Sequence, residues 1–133
     1  MAVRAHFNMY GKKRGITKPE IIAGSTAHAG LDKACEMFNI RLIKIPCGER
    51  DGFCLMAKQV LKKMSSNVIM IYASAPSFPQ GVIDSIEDLS YVAQQYDVGL
   101  HVDACLGGFI LLFAMNTKGR SYPKYDFGCQ GEY

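Results

Sequence analysis

The sequence predicts an α/β domain of three layers, in which a mainly parallel sheet is covered by helices on both faces. Two observations support this prediction. Along the 133 residues, the period of the apolar positions switches repeatedly between that of a helix and that of a strand. In addition, Asn67 to Ala73 is almost continuously apolar, which is typical of a strand buried on both faces of a parallel sheet. The composition, 49% apolar and 20% charged, suits a single soluble domain over residues 1–133, without a second one.

The first half of the chain contains two helical and two strand-like patterns. Val3, Phe7 and Tyr10 recur at spacings of four and three, so we expect them to share one face of a helix. Leu31 and Cys35 share a helical face in the same way. The predicted elements are a helix over Ala2–Lys13, a strand over Glu20–Gly24, a helix over Ala27–Asn39, a strand over Ile40–Pro46 and a turn near Glu49–Gly52.

The second half of the chain continues this alternation. Glu87 and Asp88 stand in the first turn of a predicted helix, where the helix dipole favours negative charge. Phe109 to Met115 is an apolar run of strand length, which we expect to be a strand or a short buried segment. The other predicted elements are a helix over Leu55–Met64, a strand over Asn67–Ala73, a loop over Ser74–Ser85, a helix over Ile86–Tyr96 and a strand over Val98–Val102.

Charge and targeting signals argue against several classes of protein. The net charge of +3 is small and the 15 basic residues are scattered, which is too weak a signal for binding to nucleic acid or to an anionic membrane. No apolar stretch approaches the roughly 18 residues of a membrane span, and the N-terminus carries no secretory signal. The five cysteines form no Cys-x-x-Cys pair. We therefore expect free thiols in an intracellular, reducing compartment.

Three segments that follow predicted strands are candidates for a functional site. In open α/β sheets, ligands bind beyond the carboxyl ends of the strands. The segments after three of the strands each bring polar groups or glycines to this edge: Gly24–His28, Ser74–Gly81 and His101–Gly108. This placement predicts a site at the edge but does not specify its chemistry.

Asp103 is the most informative residue of these segments. It follows an apolar strand and precedes Cys105 to Phe109, which we also expect to be largely buried. A buried carboxylate is costly unless a cation or a hydrogen-bond donor satisfies it. Taken alone, Asp103 is more simply interpreted as a cap of a turn or helix. A metal site with His101 is a weaker interpretation, because only these two ligands are evident.

The other candidates also have simple structural interpretations. His28 is at a helix start, where it can make local hydrogen bonds. Cys105 lies beside Asp103, but no base for a nucleophilic thiol is evident, so buried packing is the better explanation. The Gly107-Gly108 pair lacks the wider pattern of a nucleotide-binding loop and fits a tight turn or a close approach of two backbones.

In combination and order, however, these motifs resemble a known family. The segments Ser25–Ala34, Ser74–Asp84 and Leu100–Phe109 are similar in sequence and spacing to sphingosine-1-phosphate lyases. These belong with the group II amino-acid decarboxylases of fold type I, whose cofactor is pyridoxal 5′-phosphate. The His-Val-Asp-Ala motif occurs across the wider superfamily. The Phe-Pro-x-Gly-Val-Ile-Asp loop, joined to Asp-Ala-Cys-Leu-Gly-Gly-Phe, points to the lyase branch. The resemblance extends over residues 1–131.

The resemblance implies roles for five residues. Asp103 would pair with the ring nitrogen of the cofactor and His28 would stack on the ring. Ala104 would lie near the opposite ring face, and Ser74 or Ser77 would touch the cofactor or the substrate. A carboxylate beside the ring nitrogen keeps it protonated, so the ring can accept electrons when a bond at the substrate's α-carbon breaks. The implied reaction splits a phosphorylated sphingoid base into a fatty aldehyde and phosphoethanolamine.

The chain also departs from the family pattern. No lysine lies in the family's Ser-x-Asp-x-His-Lys motif, which holds the cofactor covalently, and the Gly-Gly-Thr-Glu-Ser phosphate-binding segment has no counterpart. Gln80 stands where many relatives have His, and Ser85 where Pro is usual. We therefore expect an internal part of the large domain that is inactive alone. Two alternatives remain, a related amino-acid decarboxylase and a non-catalytic product that associates with a full-length subunit. The resemblance further implies a homodimeric parent enzyme, often anchored to the endoplasmic reticulum by a segment absent from this sequence.

Overall fold

The computed structural model describes residues 2–114 and contains a four-stranded parallel sheet in the order β2-β1-β3-β4. The α/β class and the parallel sheet predicted from the sequence are thereby confirmed. The strands are β1 (Glu20–Gly24), β2 (Arg41–Ile45), β3 (Val68–Ser74) and β4 (Gly99–Asp103). The helices are α1 (Ala2–His6), which continues as a π-helical turn over Phe7–Gly11, α2 (Gly30–Met37), α3 (Ala57–Leu61), α4 (Ile86–Gln95) and α5 (Leu111–Ala114), with a short 3-10 turn at Glu49–Asp51.

The core lies in two layers, one on each face of the sheet. Alternate residues of a strand point to opposite faces, so neighbouring residues in β1 belong to different layers. One layer joins the sheet to α3 and α4 and includes Ile22, Val60, Ile71, Leu89 and Val92. The other layer joins it to α1, the π-helical turn and α2, and includes Ile21, Leu31, Cys35 and Ile69, with Val3 and Phe7 packed against them.

The register of the sheet determines which residues are neighbours at its carboxyl end. Between β1 and β3 the register shifts after the pair Glu20 and Val68, so Ile69 has no partner in β1. Beyond this irregularity the pairing is regular, and Tyr72 lies between Ala23 of β1 and His101 of β4. All four strands end at the same edge because they are parallel.

The first helix differs from its prediction at Tyr10. We expected Tyr10 to share one helical face with Val3 and Phe7, but these two pack against the core whereas Tyr10 is 51% exposed. A π-helical turn has more residues per turn than an α-helix, so the buried stripe advances by one position. Gly11 is buried instead, in a space between Phe7 and Ile69 that leaves no room for a side chain.

Element boundaries also differ from the predictions. Helix α2 begins at Gly30 rather than at Ala27, because His28 Nδ1 accepts a hydrogen bond from the Gly30 N–H (3.0 Å) and holds the preceding residues in a turn. Strand β4 includes Asp103 as its last residue, and β3 includes Ser74. No helix among residues 2–114 is long and apolar enough to cross a membrane.

The segment after β4 is more exposed than predicted. We expected Cys105 to Phe109 to be largely buried, yet Cys105 is exposed and the Phe109 side chain is 86% exposed. The apolar run that begins at Phe109 leads into the short helix α5, not a strand or a buried segment. This segment follows β4, which is the outer strand of the described sheet. The end of this run, at Met115, lies outside the described residues.

Candidate active site

A network of polar side chains lies at the carboxyl end of β3 and β4. Asp103 is paired with Ser74 in the ladder, and the Ala75 N–H donates to the Asp103 carbonyl oxygen (2.8 Å). The Tyr72 hydroxyl donates to Asp103 Oδ2 (2.6 Å), and the Cys105 N–H donates to Oδ1 (3.1 Å). The carboxylate is therefore held by one donor from the neighbouring strand and one from the turn that follows its own strand.

These contacts determine the ionisation of Asp103. Partial burial alone raises the pKa of a carboxyl group, but the hydrogen bonds from Tyr72 and Cys105 and the nearby His101 outweigh it, so the pKa of Asp103 is lowered below its ordinary value. Asp103 is an anion at neutral pH. The same contacts raise the pKa of the exposed Cys105 thiol, chiefly through its hydrogen bond to Asp103. A raised thiol pKa disfavours a nucleophilic role for Cys105.

The ring of Tyr72 packs on His101. The two ring centroids are 5.2 Å apart and the planes are tilted by 33°. Burial, followed by the contact with Asp103, raises the pKa of Tyr72 strongly, so its hydroxyl stays protonated and remains a donor. Tyr72 packs against the core layer that contains α2, and His28 lies in the loop that leads into that helix.

His28 lies exposed in the loop between β1 and α2. Its Nδ1 accepts a hydrogen bond from the Gly30 N–H, which restrains the orientation of the ring. The Phe78 ring contacts it edge-on, with centroids 6.4 Å apart and planes at 75°. The loop after β3 thus reaches the loop after β1 at this edge of the sheet.

Ser74 and Ser77 are buried, at 3% and 1% exposure. The Ser77 hydroxyl lies within its own loop, where it accepts from the Val82 N–H (3.4 Å) and lies 3.5 Å from Gln80 Oε1. The structure therefore brings Ser77 together with its loop neighbours rather than with Asp103. Contact of either serine with a cofactor or substrate stays a prediction.

Asp84 fastens the end of this loop. Its Oδ1 accepts from the Leu55 N–H and its Oδ2 from the Ser74 N–H, both at 2.7 Å, while its own N–H donates to the Ser74 carbonyl (3.0 Å). Burial raises the pKa of Asp84, and the two N–H groups offset part of that effect. Asp84 therefore holds the last residue of β3 in place directly beside Asp103.

The Gly107-Gly108 pair marks a close approach of two backbones, one of the two interpretations left open by the sequence. A Cβ on the buried Gly107 would overlap the Ala75 carbonyl, and Gly108 donates its N–H to the Ala104 carbonyl (2.7 Å). The turn that begins at Ala104 therefore packs directly on the loop after β3. Ala104 itself is partly buried.

Comparison with solved structures shows the class of protein, because the fold is that of the fold type I enzymes that use pyridoxal phosphate. A sphingosine-1-phosphate lyase of Burkholderia pseudomallei matches the structure with a TM-score of 0.86 and 32% identity, over 95% of this chain and 28% of that one. A glutamate decarboxylase of Lactobacillus brevis matches with a TM-score of 0.70, but at 24% identity it shows the fold alone.

The family follows from sequence comparison. The model of the pyridoxal-dependent decarboxylase conserved domain matches residues 1–120, so the chain belongs to that family. The sphingosine-1-phosphate lyase of Oryza sativa is 42% identical over 131 residues, which are 98% of this chain and 24% of that protein. The chain spans about a quarter of the length of this curated relative. The family's cofactor is pyridoxal 5′-phosphate.

The residues present fit this cofactor. Asp103 is an anion with three of its roughly four lone-pair positions engaged, by the Tyr72 hydroxyl and by the N–H and thiol of Cys105, so one position can still accept the N–H of a protonated pyridine ring. The exposed imidazole of His28 offers a flat face to an aromatic ring. Ala104 adds little bulk beside Asp103. The roles assigned to these three residues remain predictions that the geometry allows.

Sequence reasoning missed two residues of this network, Tyr72 and Asp84. Tyr72 is the one polar side chain in the run Val68–Tyr72, and Asp84 follows the apolar pair Val82-Ile83 at the end of the loop. A polar side chain within or directly after an apolar run is a signal that could have selected both. The partners of each could not be read in this way, because they depend on strand pairing and loop folding.

Proposed function

We propose that the chain forms the ring-binding part of a pyridoxal-phosphate-dependent carbon–carbon lyase that acts on phosphorylated sphingoid bases. The bond cleaved joins the carbon that bears the amino group to the carbon that bears the hydroxyl group. The hydroxyl loses its proton and its carbon leaves as a fatty aldehyde, while the other carbon gains a proton and leaves as phosphoethanolamine. Identity favours this proposal over an amino-acid decarboxylase, at 42% and 32% to two lyases against 24% to the glutamate decarboxylase.

The Asp103 carboxylate is the observation that carries the proposal. When bound, the cofactor supplies a ring that accepts the electron pair of the broken bond, provided its nitrogen stays protonated. Asp103 holds that proton in place through a charge-assisted hydrogen bond. His28 orients the ring by stacking on it, while Ala104 limits crowding on the other side. We expect other parts of the enzyme to bind the charged phosphate group of the substrate.

We do not expect the 133-residue chain to catalyse the reaction alone. We expect the covalent attachment of the cofactor to require a lysine in the family motif, which this sequence lacks. We also propose a homodimeric parent enzyme and an intracellular, reducing location. The latter is supported by the free thiols of Cys35, Cys47, Cys54 and Cys105 in the described part of the chain.

A chimaera tests the proposed reaction. This chain replaces the matching segment of the Oryza sativa lyase, and the product is assayed with dihydrosphingosine 1-phosphate, with glutamate and with an aromatic amino acid. We expect a fatty aldehyde and phosphoethanolamine from the first and no carbon dioxide from the others. Carbon dioxide without aldehyde would support the decarboxylase alternative. A folded chimaera that binds the cofactor but yields neither product would support the non-catalytic alternative.

The unmodified chain provides a second test. It is mixed with pyridoxal phosphate, reduced with borohydride and mapped by mass spectrometry. We expect scattered, substoichiometric labelling of surface lysines. Stoichiometric labelling of one lysine would show that the chain carries its own attachment site.

A further inference from the structure

Tyr72 occupies an unusual place in β3. The strand is otherwise apolar until its last residue, and the phenol lies on the face covered by α1 and α2. Its ladder partner in β4 is His101, and the two rings pack at 5.2 Å. Strand pairing and ring packing therefore fix the position of the Tyr72 ring on two sides.

The hydroxyl of this fixed ring reaches past His101 to the end of β4. It donates to Asp103 Oδ2 at 2.6 Å, while the Cys105 N–H holds Oδ1 from the other side. A side chain held by two donors on different oxygens has little freedom to rotate about its Cβ–Cγ bond. The remaining lone pair of the carboxylate therefore has a fixed direction before any ligand binds.

We propose that Tyr72 is a positioning residue for Asp103, which fixes the carboxylate so that its free lone pair meets the ring nitrogen of the cofactor. This inference rests on the proposed function, in which Asp103 is the partner of that nitrogen. Preorganised partners of this kind make a ligand-binding group more effective, because the protein does not have to reorganise when the ligand arrives.

The hydrogen bond also affects where a shared proton resides. A donor to the ionised carboxylate makes Asp103 less basic, so the carboxylate competes less for the proton on the ring nitrogen. His101 and Cys105 are the other titratable groups that act on Asp103, and both lower its pKa. Both groups are still present when only the hydroxyl of Tyr72 is removed.

The test follows the Asp103 carboxyl directly, by ¹³C NMR titration of the 133-residue chain without ligand. Tyr72→Phe keeps the ring and its packing on His101 but removes the donor, so the midpoint of the Asp103 titration should move to higher pH. Tyr91→Phe removes the same group from an exposed position on α4 and should leave the midpoint unchanged. An unchanged midpoint in Tyr72→Phe would overturn the proposal.

A second measurement does not depend on the folding of Tyr72→Phe. Tyrosine labelled with ¹³C at Cζ reports the hydrogen bond of its hydroxyl at neutral pH. The Tyr72 signal should shift when Asp103 is replaced by Ala, and the Tyr91 signal should not. If the Tyr72 signal stays in place, the hydroxyl is not bound to Asp103 and the proposal is wrong.

The affinity of the lyase chimaera for pyridoxal phosphate, measured by equilibrium dialysis, separates this proposal from the proposed function. If both are right, the affinity falls in Asp103→Ala and also in Tyr72→Phe, in the latter by about fivefold, the effect of one hydrogen bond of ~1 kcal/mol. A loss in Asp103→Ala alone would overturn the role of Tyr72 only. Unchanged affinity in Asp103→Ala would overturn the proposed function, and the positioning role with it.

Discussion

Two carboxylates at the same end of the sheet have opposite environments. Asp84 is buried, and burial raises its pKa, although two backbone N–H groups hold its oxygens. Asp103 is only partly buried, and its donors prevail over burial and lower its pKa. Each oxygen of both carboxylates accepts a hydrogen bond, but Asp84 is only 5% exposed whereas Asp103 is partly exposed, so a ligand can reach Asp103 and not Asp84. Asp84 is therefore suited to a structural role and Asp103 to binding a cationic ligand.

Substitutions at Asp103 and Cys105 test this assignment in the lyase chimaera. Asp103→Ala removes the partner of the ring nitrogen, and turnover should fall on the order of 100-fold or more, as when a preorganised charge-stabilising group is removed. Cys105→Ser should change turnover little, since the thiol is exposed and its pKa is raised. Steady-state kinetics decide between them. Near-normal turnover in Asp103→Ala, together with a large loss in Cys105→Ser, would show that Asp103 does not have the central role.

At the scale of elements, the loop from Ala75 to Asp84 is a closed unit between β3 and α4. Asp84 ties its end to β3 through Ser74 and to Leu55, two residues before α3 begins. Within the loop, the Ser77 N–H donates to the Val82 carbonyl, and the Ser77 carbonyl accepts from the Gly81 N–H. Phe78 of this loop contacts the ring of His28. Contacts within the protein therefore determine the position of Phe78 beside His28, without a bound ligand.

Asp84→Asn tests how much this loop depends on one side chain. The amide has a single acceptor oxygen and turns its NH₂ towards the other backbone N–H, so one buried donor loses its partner. We expect the free energy of unfolding to fall by about 1–3 kcal/mol at neutral pH. Denaturant unfolding measures the change. Asp97→Asn is the control, because Asp97 is exposed with a positive φ of 51° that Asn tolerates.

The same pair of variants tests a pH dependence of the free energy of unfolding. The pKa of Asp84 is raised in the folded protein, so the folded state binds the proton more tightly than the unfolded state. Protonation of Asp84 therefore stabilises the folded state at low pH. This stabilisation is lost as pH rises above the ordinary carboxyl pKa and through the raised pKa of the folded state. Asp84→Asn should lack this slope, whereas Asp97→Asn should keep it. Equal slopes in both would mean that Asp84 does not titrate differently in the fold.

Gly107→Ala tests the close packing of the turn after β4 on the loop after β3. The added methyl group would overlap the Ala75 carbonyl, so the turn has to move, at a cost of about 1–3 kcal/mol. Gly48→Ala is the matched control, because Gly48 has open space around its Cα and an extended backbone. Thermal unfolding should separate the two variants by several degrees. Equal melting temperatures would contradict the packing described for Gly107.

The sequence could predict the elements whose burial is uniform. Strands β1 and β3 were located closely, because both faces are covered and nearly every residue is apolar. The start of α2 was missed because it depends on one hydrogen bond, from Gly30 to His28. Tyr10 was misplaced because a π-helical turn changes the period on which the prediction was based.

For the site, the sequence could predict positions but not partners. His28 follows β1 and Asp103 is the last residue of β4, so topology alone brings them to one edge of the sheet. The bond between Tyr72 and Asp103 depends on the pairing of β3 with β4, in which Tyr72 is level with His101. A change of register by one residue would turn Tyr72 to the other face, and nothing in the sequence of β3 alone fixes that register.

At the scale of the whole molecule, the two faces of the sheet are covered but part of the surface is strongly apolar. The side chains of Phe109, Ile110 and Phe113 are 86%, 67% and 73% exposed. We call these three residues the apolar patch. They follow the outer strand β4 near the candidate site. Clustered exposed aromatic and aliphatic side chains favour association, because each contact removes apolar surface from water.

We therefore predict that the 133-residue chain self-associates through the apolar patch. Phe109→Ser combined with Phe113→Ser should lower the weight-average mass in sedimentation at micromolar concentration, without a large change in thermal unfolding, because neither side chain contributes to the core. Met37→Ser is the control, since Met37 is also exposed, at 71%, but lies at the end of α2, which packs on a different part of the sheet. If the control disperses the chain as well as the double variant does, association is driven by general surface hydrophobicity. A wild-type chain that sediments as a monomer would show that the patch is too small or too mobile to hold two copies together.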